Sequence, residues 1–112
     1  MRITPGETFT HTWTVPFPAY LIEYAEVTYW QTSEILKKTT TTFENDGENA
    51  KFTLEFTQSD SLKFTPKVKG SAQVNLIFTS GARDVSYPVS FFVGAQMSMH
   101  EIPEVENVSS EL

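Results

Sequence analysis

A chain of 112 residues is long enough for one domain with a modest core. Its hydrophobic content of 39% and aromatic content of 13% exclude a disordered polypeptide. It has no cysteine, which excludes disulfides, thiolate zinc sites and cysteine nucleophiles. It has neither a run of roughly 18 apolar residues nor a signal-peptide core, so we expect a soluble, unprocessed protein with no membrane partner.

The net charge of -6 is concentrated at the C-terminus. Residues 101–112 hold four glutamates and no base, whereas the first hundred residues hold ten acids against eight bases. A nearly neutral body with an acidic end is poorly suited to a phosphate backbone, so we expect no nucleic-acid partner. This change in composition predicts a β-sandwich domain over residues 1–96 and an acidic tail or interaction arm over 97–112.

The first predicted elements are two strands. Residues 8–15, TFTHTWTV, alternate with period two and place one set of side chains on a common face: Phe9, His11, Trp13 and Val15. Residues 20–31 form a second strand region, in which Val27 and Tyr29 are predicted to face inward and Trp30 outward. These patterns place Phe9 and Trp13 in the core.

Further strands are predicted towards the C-terminus. Residues 35–43 are polar enough for an edge strand, and residues 45–47, NDG, indicate a hairpin turn. The segment AKFTLEF follows and aligns Phe52, Leu54 and Phe56, and a strand with Ala72, Val74, Ile77 and Phe78 comes next. Residues 85–93 form the last predicted strand, where Pro88 requires an edge position or a bulge. The remaining predicted core residues are Leu54, Phe64, Val74 and Phe91.

Between two of these strands, Thr57 and Asp60 have the spacing of a capping box and predict one helical turn over residues 57–61. This turn resembles the sheet-crossing turn of immunoglobulin-like domains, although Phe64 replaces the corner tyrosine and the cysteine pair is absent. Six to seven strands with turns every 8–12 residues are typical of a sandwich. We therefore predict an all-β, immunoglobulin-like β-sandwich with a C-terminal tail.

The order of motifs also resembles a group of small all-β proteins encoded among the structural genes of phages and prophages. The likeness covers most of residues 1–96 and is carried by three segments: RITPGETF (2–9), VTYWQ (27–31) and FTQSDSLKF (56–64). The resemblance implies a virion component, assembled in the host bacterial cytoplasm. Its implied partners are other virion proteins or copies of itself, in a homo-oligomer.

Candidate catalytic residues are few. His11 shares a strand face with apolar residues, which favours a core or rim position, and His100 lies beside the acidic tail without ligand spacing. Asp46 and Glu48 flank Gly47, but they supply only a fragment of a calcium loop and suit a hairpin better. With no base–nucleophile pair to name, we expect no enzyme activity, no cofactor and no metal site.

Candidate binding residues belong to three groups. Trp30 with Tyr20, Tyr24 and Tyr29 offers an aromatic sugar platform or, for most of these residues, simply core. A basic patch or a solvated face comes from Lys63, Lys67 and Lys69. The tail has an apolar stripe at helical spacing that either docks on a neighbouring copy or frays: Ile102, Val105, Val108 and Leu112.

These observations predict a non-enzymatic phage structural protein, in the first place a capsid decoration or an accessory or joining protein of the virion. Two alternatives stay open at the level of sequence. One is a carbohydrate-binding adhesion module built around Trp30, and the other is a tail or baseplate subunit.

Overall fold

The computed structural model of the chain describes residues 2–86, 88–95 and 99–101. Apart from a 3-10 turn at Ala19–Leu21 and one α-helical turn at Gln58–Ser61 (α1), the regular elements in these ranges are strands. Six strands have five or more residues: Phe9–Val15 (β2), Ile22–Trp30 (β3), Glu34–Thr40 (β4), Asn49–Phe56 (β6), Gly70–Phe78 (β7) and Val89–Val93 (β9). Three are shorter: Arg2–Ile3 (β1), Glu44–Asp46 (β5) and Arg83–Val85 (β8).

The strands form two sheets. A six-stranded sheet has the order β1-β9-β7-β3-β4, with β8 also paired to β7, and a three-stranded sheet has the order β2-β6-β5. The pair β1–β9 is parallel and the other pairs are antiparallel. This division of strands between two sheets, with β4 added beside β3, is that of an immunoglobulin-like sandwich. The predicted fold class is confirmed.

The core lies between the sheets and follows the predicted alternation. Val27 and Tyr29 are buried from β3, and the inner faces of β6 and β7 supply most of the remaining core. The rings of three phenylalanines meet Tyr29 edge-on, with centroids 5.1 to 6.1 Å away: Phe56, Phe64 and Phe91. Edge-to-face contacts of this kind favour one arrangement of the rings over others.

Phe9 and Trp13 depart from the prediction, because they are only partly buried and pack against the margin of the core. Both lie on the expected face of β2 and pair with Phe56 and Phe52 of β6. However, β2 is the outermost strand of its sheet, so its inward side chains have a neighbouring strand on one side only. The predicted inward face of β2 was therefore correct, and the edge position of the strand explains why Phe9 and Trp13 are only partly buried.

The predicted helical turn is confirmed at the crossing from β6 in one sheet to β7 in the other. Thr57 Oγ1 accepts a hydrogen bond from Asp60 N at 3.1 Å, and Asp60 Oδ2 accepts from Thr57 N at 2.9 Å. Lys38 Nζ also lies 2.6 Å from Asp60 Oδ2. Burial alone would raise the pKa of Asp60, but the Lys38 and Thr57 interactions together lower it below its ordinary value.

The predicted strand over residues 85–93 is in fact two strands, β8 and β9, which both pair with β7. Pro88 lies between them, where it has no ladder hydrogen bond to donate. Ser86 maintains the contact with β7 across the break. Its N donates to Val74 O at 2.8 Å, and its Oγ accepts from Val74 N at 2.9 Å.

Two other predictions are confirmed. The hairpin turn joins β5 to β6 with Gly47 at a φ of 65°, a left-handed conformation that suits glycine. Strand β4 is an edge strand, since among the described residues it pairs with β3 alone. Within the described ranges, no helix is long and apolar enough to cross a membrane. The tail prediction, on Ile102, Val105, Val108 and Leu112, lies outside the described residues.

Candidate binding surface

Trp30 lies at the end of β3 on the outer face of the six-stranded sheet. Because Tyr29 before it is fully buried, the pleat turns Trp30 outward, and 47% of its surface is exposed. Its neighbour on β7 is Ser71, which in turn pairs with Ser90 of β9. Two small side chains therefore lie beside the indole on this face of the sheet.

Phe92 is a second exposed aromatic residue on this face, and sequence reasoning missed it. It lies two residues beyond Ser90 on β9 and is 44% exposed. The guanidinium carbon of Arg2 lies 5.6 Å from the centroid of its ring. The signal was present, because adjacent phenylalanines in a strand must point to opposite faces. We call Trp30, Ser71, Ser90 and Phe92 the aromatic face.

A shallow groove lies beside Trp30, lined in addition by Thr28, Ser71, Gln73 and Pro88. The Gln73 side chain is held in place by its Nε2, which donates to Ser86 O at 3.0 Å. The groove thus combines one aromatic ring with hydroxyl and amide groups. Among the described residues that line it, no nucleophile and base are placed together.

Close packing supports the strand end that carries Trp30. A Cβ added to Gly70 would lie 2.5 Å from Trp30 O and 2.2 Å from Phe91 Cζ. Only glycine leaves room for this approach between β7, β3 and the Phe91 ring. The position of Trp30 therefore depends on the close packing of its backbone against Gly70 and the Phe91 ring.

The predicted basic residues are all exposed, and two of them are placed at the same end of the sheet as Trp30. Gln31 fastens the loop that precedes β7: its side chain accepts from Thr65 N at 2.8 Å and donates to Thr65 O and Val68 O, both at 3.0 Å. Lys67 has a φ of 64°, and its N donates to Val93 O at 2.9 Å. These bonds hold Lys67 and Lys69 beside the ends of β3 and β9.

Lys63 is the third of these bases and follows α1 directly. No ion pair among the described residues involves Lys63, Lys67 or Lys69. All three ammonium groups are accordingly free of a carboxylate partner in the described part of the chain.

The tyrosines suggested as a sugar platform are not assembled around Trp30. Tyr29 is fully buried, and Tyr20 is 75% exposed in the 3-10 turn that precedes β3, at the opposite end of the strand from Trp30. Tyr24 lies six residues before Trp30 on the same strand, which separates them by roughly 20 Å at the rise of a β-strand. Any aromatic contact at the groove comes from Trp30 itself.

His11 is partly buried at the rim of the core, where its ring meets the side chains of Tyr29 and Trp13. Its Nδ1 lies 2.9 Å from the Tyr29 hydroxyl oxygen, which also accepts from Trp13 Nε1 at 3.3 Å. This bond joins His11 Nδ1 to the Tyr29 hydroxyl with either group as donor, since the hydroxyl oxygen can accept from Trp13 and still accept or donate a second bond. Burial lowers the pKa of His11 and raises the pKa of Tyr29.

No candidate metal centre is found in the described part of the chain, where no three histidine or acidic side chains converge. Asp46 ends β5 and Glu48 lies in the turn to β6, both exposed. Their position is that of an ordinary hairpin.

No protein-family model and no curated protein sequence matches the chain. Among solved structures, it is similar to the extracellular domain of mouse leukocyte-associated immunoglobulin-like receptor 1, crystallised as a strand-swapped dimer. The identity is 16%, the match covers 91% of this chain and 87% of that one, and the TM-score is 0.35. It is also similar to the V domain of amphioxus IgVJ-C2, with 10% identity, coverage of 85% and 100%, and a TM-score of 0.29.

Proposed function

We propose that the chain is a non-enzymatic binding and assembly domain that serves a phage particle as a capsid decoration or as an accessory or joining protein. The observation that carries the binding role is the aromatic face, where Trp30 and Phe92 are each nearly half exposed. The assignment to a phage particle is supported by the order of the motifs at residues 2–9, 27–31 and 56–64.

The shape and chemistry of the aromatic face suit a protein partner. Tryptophan is enriched among the residues that carry most of the binding energy at interfaces. Because Ser71 and Ser90 have small side chains, the surface beside Trp30 is shallow and a partner side chain has room next to the indole. Phe92 then provides a second apolar contact on the same face of the sheet.

The lysines at the end of the sheet extend this surface with positive charge. Lys67 and Lys69 are exposed beside the ends of the strands that carry Trp30 and Phe92. Charges at the rim of an interface mainly speed association and select a complementary partner. An acidic patch on the partner is therefore favoured, and raised salt should slow binding.

Carbohydrate binding is the second candidate, and the groove beside Trp30 favours it. Thr28 and Gln73 place a hydroxyl and an amide next to the indole ring, a combination that suits a sugar. In a particle, the same domain would then act as an adhesion module. A tail or baseplate position is the third candidate and differs from the first only in where the domain binds.

The test uses particles purified from cells that carry the phage or prophage encoding the chain. Purified full-length protein is mixed with particles lacking it, and the bound fraction is measured by sedimentation. Trp30→Ser should weaken binding by about tenfold or more, as expected for a buried interface tryptophan. The matched control is Tyr20→Ser, which removes an exposed aromatic residue at the opposite end of β3 from Trp30.

Equal binding of the wild-type protein and Trp30→Ser would overturn the role of the aromatic face, and no binding of either would overturn the particle assignment. A glycan panel is read in parallel by tryptophan fluorescence. A change on sugar addition that disappears in Trp30→Ser would select the carbohydrate-binding alternative. Electron microscopy of the loaded particles then separates a capsid from a tail position.

A further inference from the structure

The outer edge of β2 is a long free strand edge. Strand β2 has seven residues and pairs with β6 in unbroken register, from Phe9 opposite Phe56 to Val15 opposite Ala50. On its other side, no strand of the described residues pairs with it. The backbone groups that point away from β6 are therefore available to another strand.

This edge lacks the features with which proteins usually prevent strand pairing, namely charges, proline and bulges. The other sheet ends at β4, which carries Glu34, Lys37 and Lys38, and at β1, which has only two residues and includes Arg2. At the opposite edge of the small sheet, β5 is three residues long and includes Glu44 and Asp46. In contrast, β2 has the sequence FTHTWTV, with no proline, no bulge and no charge while its histidine is neutral.

Both faces of β2 would gain contacts from an added strand. On the inner face, Phe9, His11 and Trp13 are only partly buried. On the outer face, Thr12 Oγ1 lies 3.0 Å from Thr53 Oγ1 of β6, a cross-strand threonine pair that a further strand with threonine can repeat. An added strand that alternates threonine with larger apolar residues would therefore match both faces of β2.

We propose that β2 pairs antiparallel with β2 of a second copy, with Thr12 on the two-fold axis. This register pairs all seven residues and places Thr10 opposite Thr14 of the partner subunit, so the threonine face continues across the dimer. No like charges meet, whereas a two-fold pairing of β4 would bring its lysines together. The result is an isologous dimer with one continuous six-stranded sheet, three strands from each copy.

The choice of a second copy rests on this self-complementarity. A strand with alternating threonine and no charge is its own best match, because each outer threonine opposes another threonine. The dimer leaves the aromatic face free, since that face belongs to the other sheet. The inference is therefore independent of the proposed function and adds a partner, the same chain, at a different surface.

Sedimentation of the full chain over a range of concentrations tests the dimer. The wild-type protein should pass from monomer to a species of twice the mass. Thr12→Lys should weaken association by roughly tenfold or more, because two lysines then face each other across the axis. Thr39→Lys is the matched control: it lies on the free strand β4, adds the same charge and likewise loses one side-chain contact, with Tyr24.

Cross-linking is a second test that does not depend on the effect of a lysine on folding. The chain has no native cysteine, so Thr12→Cys contains a single thiol. Directly opposed residues of an antiparallel pair have Cα atoms roughly 4.5–5.5 Å apart, within the range of a disulfide. Under mild oxidation, Thr12→Cys should form a covalent dimer, and Thr39→Cys should stay monomeric.

Three results would overturn the proposal: a wild-type protein that stays monomeric at roughly millimolar concentration, an oligomer that Thr12→Lys leaves intact, or cross-linking of Thr39→Cys in place of Thr12→Cys. Hydrogen exchange identifies a different occupant of the edge. The β2 amides that point away from β6 should be protected only as the dimer forms, whereas those bonded to β6 are protected in the monomer as well. Protection of these outward amides in a monomer would assign the edge to another segment of the same chain and reject the second copy.

Discussion

At the scale of single residues, polar side chains in and around the core have definite partners. The Tyr29 hydroxyl lies between His11 and Trp13, and the Gln31 side chain makes three hydrogen bonds to the loop at residues 65–68. No buried side-chain nitrogen or oxygen in the described residues lacks a hydrogen-bond partner. Since an unpaired buried polar group is costly, these residues specify one arrangement of the rim and the loop.

The His11 contact makes stability depend on pH. In the folded state burial lowers the pKa of His11 below its ordinary value of 6.5, so the unfolded chain takes up a proton first as the pH falls. The free energy of unfolding should therefore decrease from about pH 7 to about pH 5.5, which urea titrations at the two values measure. His11→Gln removes this imidazole and keeps His100, so a pH dependence equal to that of the wild-type protein would contradict the assignment to His11.

At the scale of elements, α1 is short and depends on its cap. A single helical turn is unstable alone, and here the Thr57–Asp60 box is joined by Lys38 from the other sheet. The capping pattern is local, so it was readable in the sequence. The break between β8 and β9 could be predicted only in part. Pro88 indicates an interrupted ladder, but nothing in the sequence indicates that Ser86 maintains contact with β7.

Removal of the cap should have a measurable cost. Thr57→Ala should lower the free energy of unfolding by about 1 kcal/mol, because Asp60 N loses its side-chain acceptor. The matched control is Ser59→Ala, an exposed hydroxyl in the same turn, which should change stability by less than about 0.5 kcal/mol. Urea unfolding compares the two, and equal losses would show that the cap is not what stabilises the turn.

At the scale of the whole molecule, side chains between the two sheets are more completely buried at the centre of the sandwich than at its edge strands. Phe64 lies between the sheets, with Tyr29 and Phe91 against its ring, although it belongs to no strand. Trp13 is larger, but it lies on the edge strand β2 and is only partly covered. The burial of these two rings therefore depends more on their position in the sandwich than on their size.

This difference gives a prediction about the two aromatic residues. Phe64→Ala should lower the free energy of unfolding by about 3–5 kcal/mol, as for a large buried ring. Trp13→Ala should cost less, roughly 1–3 kcal/mol, because part of the indole is already in contact with water. Both variants are measured by urea unfolding at a concentration low enough to keep the chain monomeric. A greater loss for Trp13→Ala would contradict the burial described for the isolated domain.

The sequence by itself determined the local features: which side chains of β2, β3 and β6 share a face, the hairpin at Gly47 and the capped turn at Thr57. These follow from the period of two in a strand and from hydrogen bonds a few residues apart. Only the tertiary structure decided which strands are neighbours, and so which residues meet. The pairing of Trp30 with Ser71, the exposure of Phe92 on the same face and the free edge of β2 all depend on strand order. A strand's own alternation tells which side faces inward, but long-range pairing alone determines what lies beside it.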